Sequence, residues 1–251
     1  MRLDFFSFKT LISEQKTLIE NGFSTIIRKF MAIIENIAHI ENEIAGRNVR
    51  LVAVSKTKPV PMLMEAYDAG FRHFGENYVQ ELVDKYEQMP RDVVWHFIGH
   101  LQSNKVKYIA PFVHLIHSVD SLKLLQEINK QAAKHNRVVD CLLQIYIAEE
   151  DTKSGMTEAE CTEIMQTETL TNLSNVRIVG LMGMTTATDN EAQIRHEFKK
   201  LKKFYESLST QHSTLSTLSM GMSGDYAIAI EEGSTMIRVG SKIFGGRIYA
   251  K

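Results

Sequence analysis

Three short stretches of this 251-residue chain carry residue types that could do chemistry together. The first is LVAVSKTKP, residues 51–59. If it is a strand, its side chains alternate, so Val52, Val54 and Lys56 share one face and Lys56 falls at the carboxyl end. A lysine that loses water at such a place has a lowered pKa, the condition under which its amine attacks an aldehyde. Lys58 stands before Pro59, where the backbone is leaving the strand, and is the weaker candidate. Taken alone, a lysine at a strand end reads more simply as a solvated loop side chain.

The second stretch is LSMGMSGDYAIAIEEG, residues 218–233. A strand, a turn rich in Gly and Ser, and a helix start form a phosphate cradle in outline, because unpaired backbone N–H groups point out of a helix start and glycine lets the backbone come close. Ser223 offers a hydroxyl and Gly224 a bare N–H; equally, Ser223 or Asp225 could simply cap the helix. The third stretch is MIRVGSKIFGGR, residues 236–247, where Gly240 and Ser241 repeat the pairing of Gly with Ser. Arg238, two residues earlier, needs an acceptor if buried: a pyridine nitrogen, or a carboxylate such as Glu76. Together the three stretches ask for a ligand with a phosphate, an aldehyde and a ring nitrogen, which pyridoxal phosphate combines. A barrel with an unrelated phosphate-bearing ligand explains the two turns but leaves Lys56 and Arg238 as coincidences.

The elements that must position these residues alternate along the chain. Strand-like runs are expected at 50–55, 71–76, 93–99, 113–119, 141–147, 176–182, 216–220 and 236–240, and helical patterns at 61–70, 121–136 and 191–208. Eight strands, each followed by a helix or helical turn, is the count of a (β/α)8 TIM barrel, whose sites gather at the carboxyl ends of the strands and whose phosphate seat is often built after strands seven and eight. An open doubly wound sheet is the competing arrangement, because a count of strands does not establish closure. Glu76, Asn77, His100, Asp120, Tyr146 and Met184 stand at expected strand ends and are further candidates for the mouth. His96 and His100 have a spacing that suits zinc on a helix, but VVWHFIG reads as strand, so no metal is expected.

Composition narrows the classes. With 29 Lys+Arg against 30 Asp+Glu the net charge is -1, so no basic excess exists to neutralise a nucleic acid. Cys141 and Cys161 stand apart, which argues against a disulfide framework or structural zinc and suits a reducing cytoplasm. Charges interrupt every apolar run of residues 1–30, so neither a membrane span nor a signal peptide is expected. From Met31 an amphipathic helix begins, with Ile33, Ile34, Ile37, Ile40 and Ile44 at helical spacing. The expectation is a leader at 1–30, outside the true start, and one domain over 31–251.

The motifs VSKTKP (54–59), FGENYVQE (74–81), WHFIGHLQSNK (95–105), SVDS (118–121), KSGM (153–156), LSMGMSGDY (218–226) and EEGSTMIRVGSKIFGGR (231–247) occur in the order found in the pyridoxal phosphate homeostasis proteins of the YggS/PROSC type, and from Met31 onward the chain resembles them. The resemblance implies a single barrel of the alanine racemase N-terminal type. It implies Lys56 as the Schiff-base lysine, Ser223 and Gly224 with Gly240 and Ser241 around the phosphate, Arg238 facing the pyridine nitrogen, and Asn77 beside the cofactor. It also implies a role in binding and delivering the cofactor, with PLP-accepting apo-enzymes as partners. IYIAEEDTKSGM and GLMGMTT depart from the usual pattern and alter the rim of the mouth.

Carrier and racemase remain to be weighed. Racemisation by two bases needs a second acid/base opposite the lysine, supplied in alanine racemases by a tyrosine from a second domain of a partner subunit. The chain runs only to Lys251, and neither Tyr78 nor Tyr146 is placed by the sequence to substitute. Arginine keeps its proton, so Arg238 would leave the ring nitrogen unprotonated and the ring a poor electron sink. A carrier with little or no turnover is therefore expected, with no catalytic residues to assign.

Overall fold

The computed structural model describes residues 25–150 and 154–246. Helix α1 (Thr25–Glu43) leads into β1 (Arg50–Val54), α2 (Val60–Asp68), β2 (His73–Glu76), α3 (Val79–Gln88), β3 (Val94–Phe97), α4 (Val106–Ile109), β4 (Leu115–Val119) and α5 (Leu122–Ala133). The second half continues with β5 (Val139–Tyr146), α6 (Glu158–Gln166), β6 (Val176–Met184), α7 (Glu191–Ser209), β7 (Thr217–Ser219), α8 (Tyr226–Glu231), β8 (Met236–Val239) and α9 (Ser241–Phe244). All eight expected strands form, with β2 and β4 beginning two residues later than their apolar runs suggest. β8 pairs in parallel with β1, Leu51 opposite Ile237 and Val52 opposite Arg238, and this closes the sheet. The open-sheet alternative is thereby excluded.

Strand parity sorts the side chains into two apolar layers. Val52, Leu115, Leu142, Met182 and Met236 pack together within the barrel. Their neighbours Leu51, Phe74, Trp95, Cys141, Leu181, Leu218 and Ile237 join the larger core between sheet and helices. The stripe of α1 is buried at Ile33, Ile37 and Ile40, and Ile44 just past its end is buried with them, as the spacing requires. Its Asn36 Nδ2 donates to the Ile243 carbonyl of α9, so the first helix is tied to the last. The helix starts at Thr25, ahead of Met31; the remainder of the expected leader lies outside the described residues. No described helix is long and apolar enough to cross a membrane.

Helix starts are capped where the sequence offers a cap. Ser121 accepts from Leu124 N at α5, Asn190 accepts from Ala192 N and Gln193 N at α7, and Thr157 with Glu160 forms a capping box at α6. At the exit of β3 the backbone comes unusually close to its neighbour: a Cβ on Gly99 would sit 2.1 Å from the Asn77 carbonyl oxygen. Ser118 Oγ of β4 also donates to the Gly99 carbonyl, which ties the exit of β3 to β4. Gly99→Ala is expected to cost about 1–3 kcal/mol, as overpacking does, measured as a fall in the denaturant midpoint. Gly224→Ala, where an added Cβ meets open space, is the contrast that should leave the midpoint nearly unchanged.

Candidate functional site

Parallel closure puts the residues after β1, β2, β7 and β8 on one face, so Lys56, Asn77, Ser223, Gly224, Gly240 and Ser241 all lie at the carboxyl-terminal mouth. Lys56 is partly buried there. The next residue, Thr57, has φ 63, a left-handed conformation that a β-branched residue rarely adopts. It is held by Thr57 N–H donating to Glu81 Oε1 at 2.6 Å and by Lys58 N donating to the Ser55 carbonyl. Lys58, the other lysine of the motif, is committed elsewhere. Its Nζ donates to the carbonyls of Phe244, Gly245 and Gly246 at 3.1, 2.9 and 2.8 Å, which closes the carboxyl end of α9.

The two Gly/Ser turns meet. Gly240 N–H donates to Ser223 Oγ at 3.1 Å, so the loops after β7 and β8 are hydrogen-bonded to each other. Neither Ser223 nor Asp225 caps α8 through its side chain. Asp225 instead turns back, accepting from Met222 N at 2.6 Å and from Thr185 Oγ1 at 2.9 Å, and so shapes the loop. Gly221 at φ 97 supplies the turn, and an added Cβ would strike Ala229 and Tyr226. Asn77 Oδ1 is buried at this mouth with no hydrogen-bond partner among the described residues.

Glu76 is not at the mouth. It shares its parity with Phe74, and so faces outward against α3, where Lys85 Nζ donates to it at 2.7 Å and Ser55 Oγ at 2.6 Å. Burial pushes its carboxyl up to about 7 in spite of Lys85. It therefore does not pair with Arg238. Arg238 is buried inside the barrel, donating from Nη1 to Ser219 Oγ at 2.6 Å and from Nη2 to the Gly183 carbonyl at 3.0 Å. Burial lowers its pKa to about 10, so it stays charged at neutral pH. His100 and Asp120 approach to 3.6 Å, and Tyr146 OH donates to the Glu150 carbonyl at 2.9 Å, so these three rim candidates have local partners.

Beneath Arg238 lies a feature that the sequence reading misses. Arg50 Nη1 meets His73 Nε2 at 2.8 Å, and His73 Nδ1 meets His96 Nε2 at 3.0 Å. His96 Nδ1 then meets His117 Nε2 at 3.0 Å, and His117 Nδ1 meets Ser219 Oγ at 3.1 Å. Arginine only donates, so His73 Nε2 must accept. A neutral imidazole has one N–H, and the assignment propagates: all three rings carry their proton on Nδ1. A second proton on any ring would bring two N–H groups face to face or one against Arg50. Accordingly the pKa values of His96 and His117 lie well below the ordinary range, through burial first and then through neighbouring charge, and that of His73 falls to about 4. The available signal was a histidine in each of three successive strand-like runs.

These features place the chain in the class of (β/α)8 barrels that gather their polar groups at the carboxyl-terminal mouth. The family model described as alanine racemase, N-terminal domain, matches residues 30–248, and the chain belongs to that family. The pyridoxal phosphate homeostasis protein of Vibrio alginolyticus is 42% identical over 234 residues, covering 87% of this chain and 99% of that protein. The protein of the same name from Schizosaccharomyces pombe is 41% identical over 213 residues, covering 84% of this chain and 89% of that one. Among solved structures, PipY of Synechococcus elongatus PCC7942, described with PLP bound, superposes with a TM-score of 0.77 at 36% identity, over 85% of this chain and 100% of the other.

The buried imidazoles predict an acid limb to stability. A ring whose folded pKa lies below its unfolded value of about 6.5 binds fewer protons when folded, so stability falls as pH drops below that value. The slope is about 1.4 kcal/mol per pH unit for each fully neutral ring. His96→Gln should remove one ring's share, read as the denaturant midpoint against pH; an unaltered slope would mean that His96 is protonated in the folded protein.

Proposed function

We propose that this protein binds pyridoxal 5′-phosphate as a Schiff base on Lys56 and serves the intracellular balance of that cofactor, with little or no turnover of its own. The observation that carries the reading is the hydrogen bond from Gly240 N–H to Ser223 Oγ, which joins two Gly/Ser turns into one seat at the mouth that also holds Lys56. The relatives named above, one of them described with PLP bound, support it.

The donor set fits such a ligand. Ser223 and Ser241 would offer hydroxyls to the phosphate, while Gly224, where a Cβ would meet open space, and Gly240 keep side chains out of its way. Asn77, whose buried Oδ1 lacks a partner among the described residues, would lie beside the ring. Arg238 would face the ring nitrogen, held in place by Ser219 and the Gly183 carbonyl. When bound, pyridoxal phosphate supplies an aldehyde for a primary amine and a conjugated ring that withdraws electrons. A charged arginine at the ring nitrogen donates a hydrogen bond without giving up its proton, and so limits that withdrawal. This favours holding the cofactor over amino-acid chemistry. The racemase alternative gains nothing from Tyr146, which is engaged with Glu150, or from Tyr78, which is exposed. Transfer to PLP-accepting apo-enzymes would follow from release at this mouth.

Purified protein mixed with pyridoxal phosphate and desalted is expected to keep a visible absorbance band, and borohydride followed by peptide mapping should place the modification on Lys56. Lys56→Ala should lose the band while keeping the fold; a retained band would reassign the bond to another lysine. In a separate comparison, the double variant Ser223→Ala with Ser241→Ala should release cofactor at least about tenfold faster, the effect of two lost hydrogen bonds to an anion. Unchanged release would place the phosphate elsewhere.

A further inference from the structure

Lys56 stands between two residues that are gripped from one helix. Ser55, Lys56, Thr57 and Lys58 form a four-residue turn, closed by Lys58 N donating to the Ser55 carbonyl at 3.0 Å. Thr57, at φ 63, is its third residue, the position where a turn of this kind ordinarily has glycine or asparagine. A β-branched side chain disfavours that conformation, so groups outside the turn must hold it. They come from α3, where Glu81 and Lys85 lie one helical turn apart. On one side of Lys56, Glu81 Oε1 accepts from Thr57 N at 2.6 Å. On the other side, Lys85 Nζ donates to the Ser55 carbonyl at 2.8 Å. The same Nζ donates to Glu81 Oε1 at 2.6 Å and to Glu76 Oε1 at 2.7 Å, and Glu76 Oε1 accepts from Ser55 Oγ at 2.6 Å. All three N–H groups of the Lys85 ammonium are thereby engaged.

A buried ion pair is weak evidence for stability, since apolar residues of similar size can fill the same space. Here the charged groups reach the Ser55 carbonyl and the Thr57 N–H, which belong to the two peptide planes that meet at the Lys56 α-carbon. Strand pairing does not set those planes, because β1 ends at Val54 and the turn begins at Ser55. We propose that Glu81, braced by Lys85, is a positioning residue for Lys56: pinning both planes fixes the direction in which the side chain leaves the turn, and so places its amine for the aldehyde. This rests on the reading that Lys56 forms the Schiff base. The unprotonated amine gives its lone pair to the aldehyde carbon, and its two protons leave with the aldehyde oxygen as water. The rate of that attack depends on where the nitrogen is held, and a small misplacement slows it.

The test uses Glu81→Ala, Glu81→Gln and Thr57→Gly, because glycine adopts a positive φ readily and should make the clamp dispensable. Glu81 is only partly buried, so Glu81→Ala is expected to fold. In cofactor-free protein, Glu81→Ala should lower the denaturant midpoint less in the Thr57→Gly background than in the wild type. Absence of that coupling overturns the clamp. At saturating pyridoxal phosphate the absorbance band should form at least about tenfold more slowly in Glu81→Ala, the loss of one hydrogen bond to a charged group. The half-saturating concentration, set by the phosphate seat, should stay within about twofold. Glu81→Gln, which keeps an acceptor oxygen, and the double variant Glu81→Ala with Thr57→Gly should both recover most of the rate. An unchanged rate in Glu81→Ala, or a double variant as slow as Glu81→Ala, overturns the positioning role. A band absent from the wild type, or surviving in Lys56→Ala, overturns the Schiff-base reading and the positioning role with it. The midpoint coupling, measured without cofactor, reports on the clamp alone and separates the two failures.

Discussion

The pairing of β8 with β1 is the constraint on which the rest of this structure depends. Parallel strands cannot be joined by tight hairpins, so every connection crosses the outside of the sheet and every strand points the same way. Once the last strand closes on the first, segments nearly 200 residues apart, around Lys56 and Gly240, become neighbours at one rim. Closure also divides each strand by parity into a face for the helices and a face for the interior. Both the mouth with its Gly/Ser turns and the row of imidazoles follow from that division.

The interior face is unusual in carrying hydrogen bonds across a barrel that is otherwise filled by Val52, Leu115, Leu142, Met182 and Met236. Buried polar groups are tolerated when each finds a partner with the right donor and acceptor roles. Here the roles are set from the ends, because Arg50 and Arg238 can only donate and the rings and Ser219 between them must accommodate both. On the outer face Glu76, Lys85, Glu81 and Ser55 share hydrogen bonds between β2 and α3, yet Glu76 Oε2 is left without a partner among the described residues.

Much of this was legible in the residues. Alternation along LVAVS predicts Lys56 on the interior side of β1, and Gly with Ser after two late strands marks two turns that the fold joins at one rim. The eight β-rich runs give the strand count, but closure is a long-range pairing that no local pattern states. Glu76 shows where local reading fails. Its place at a strand end suggests the mouth, yet in FRHFGE it keeps step with Phe74, and a buried Phe beside the helices takes the carboxylate with it. Asn77 was legible from its place at the same strand end, and only its position beside a cofactor came from the family resemblance. The histidines were visible one at a time, but their contacts run between strands, and register between parallel strands is written in no single segment.

The bond from Gly240 N–H to Ser223 Oγ has a consequence for timing. It joins two protein groups, so it forms as the barrel folds and the seat is finished before any guest arrives. Ordering two loops is a cost that association would otherwise have to meet. A guest entering a finished seat gains little from further closure, and differences among guests will be expressed in how long they stay. Residence time, not capture, is then the property that selection can adjust at this rim, one hydroxyl or one glycine at a time.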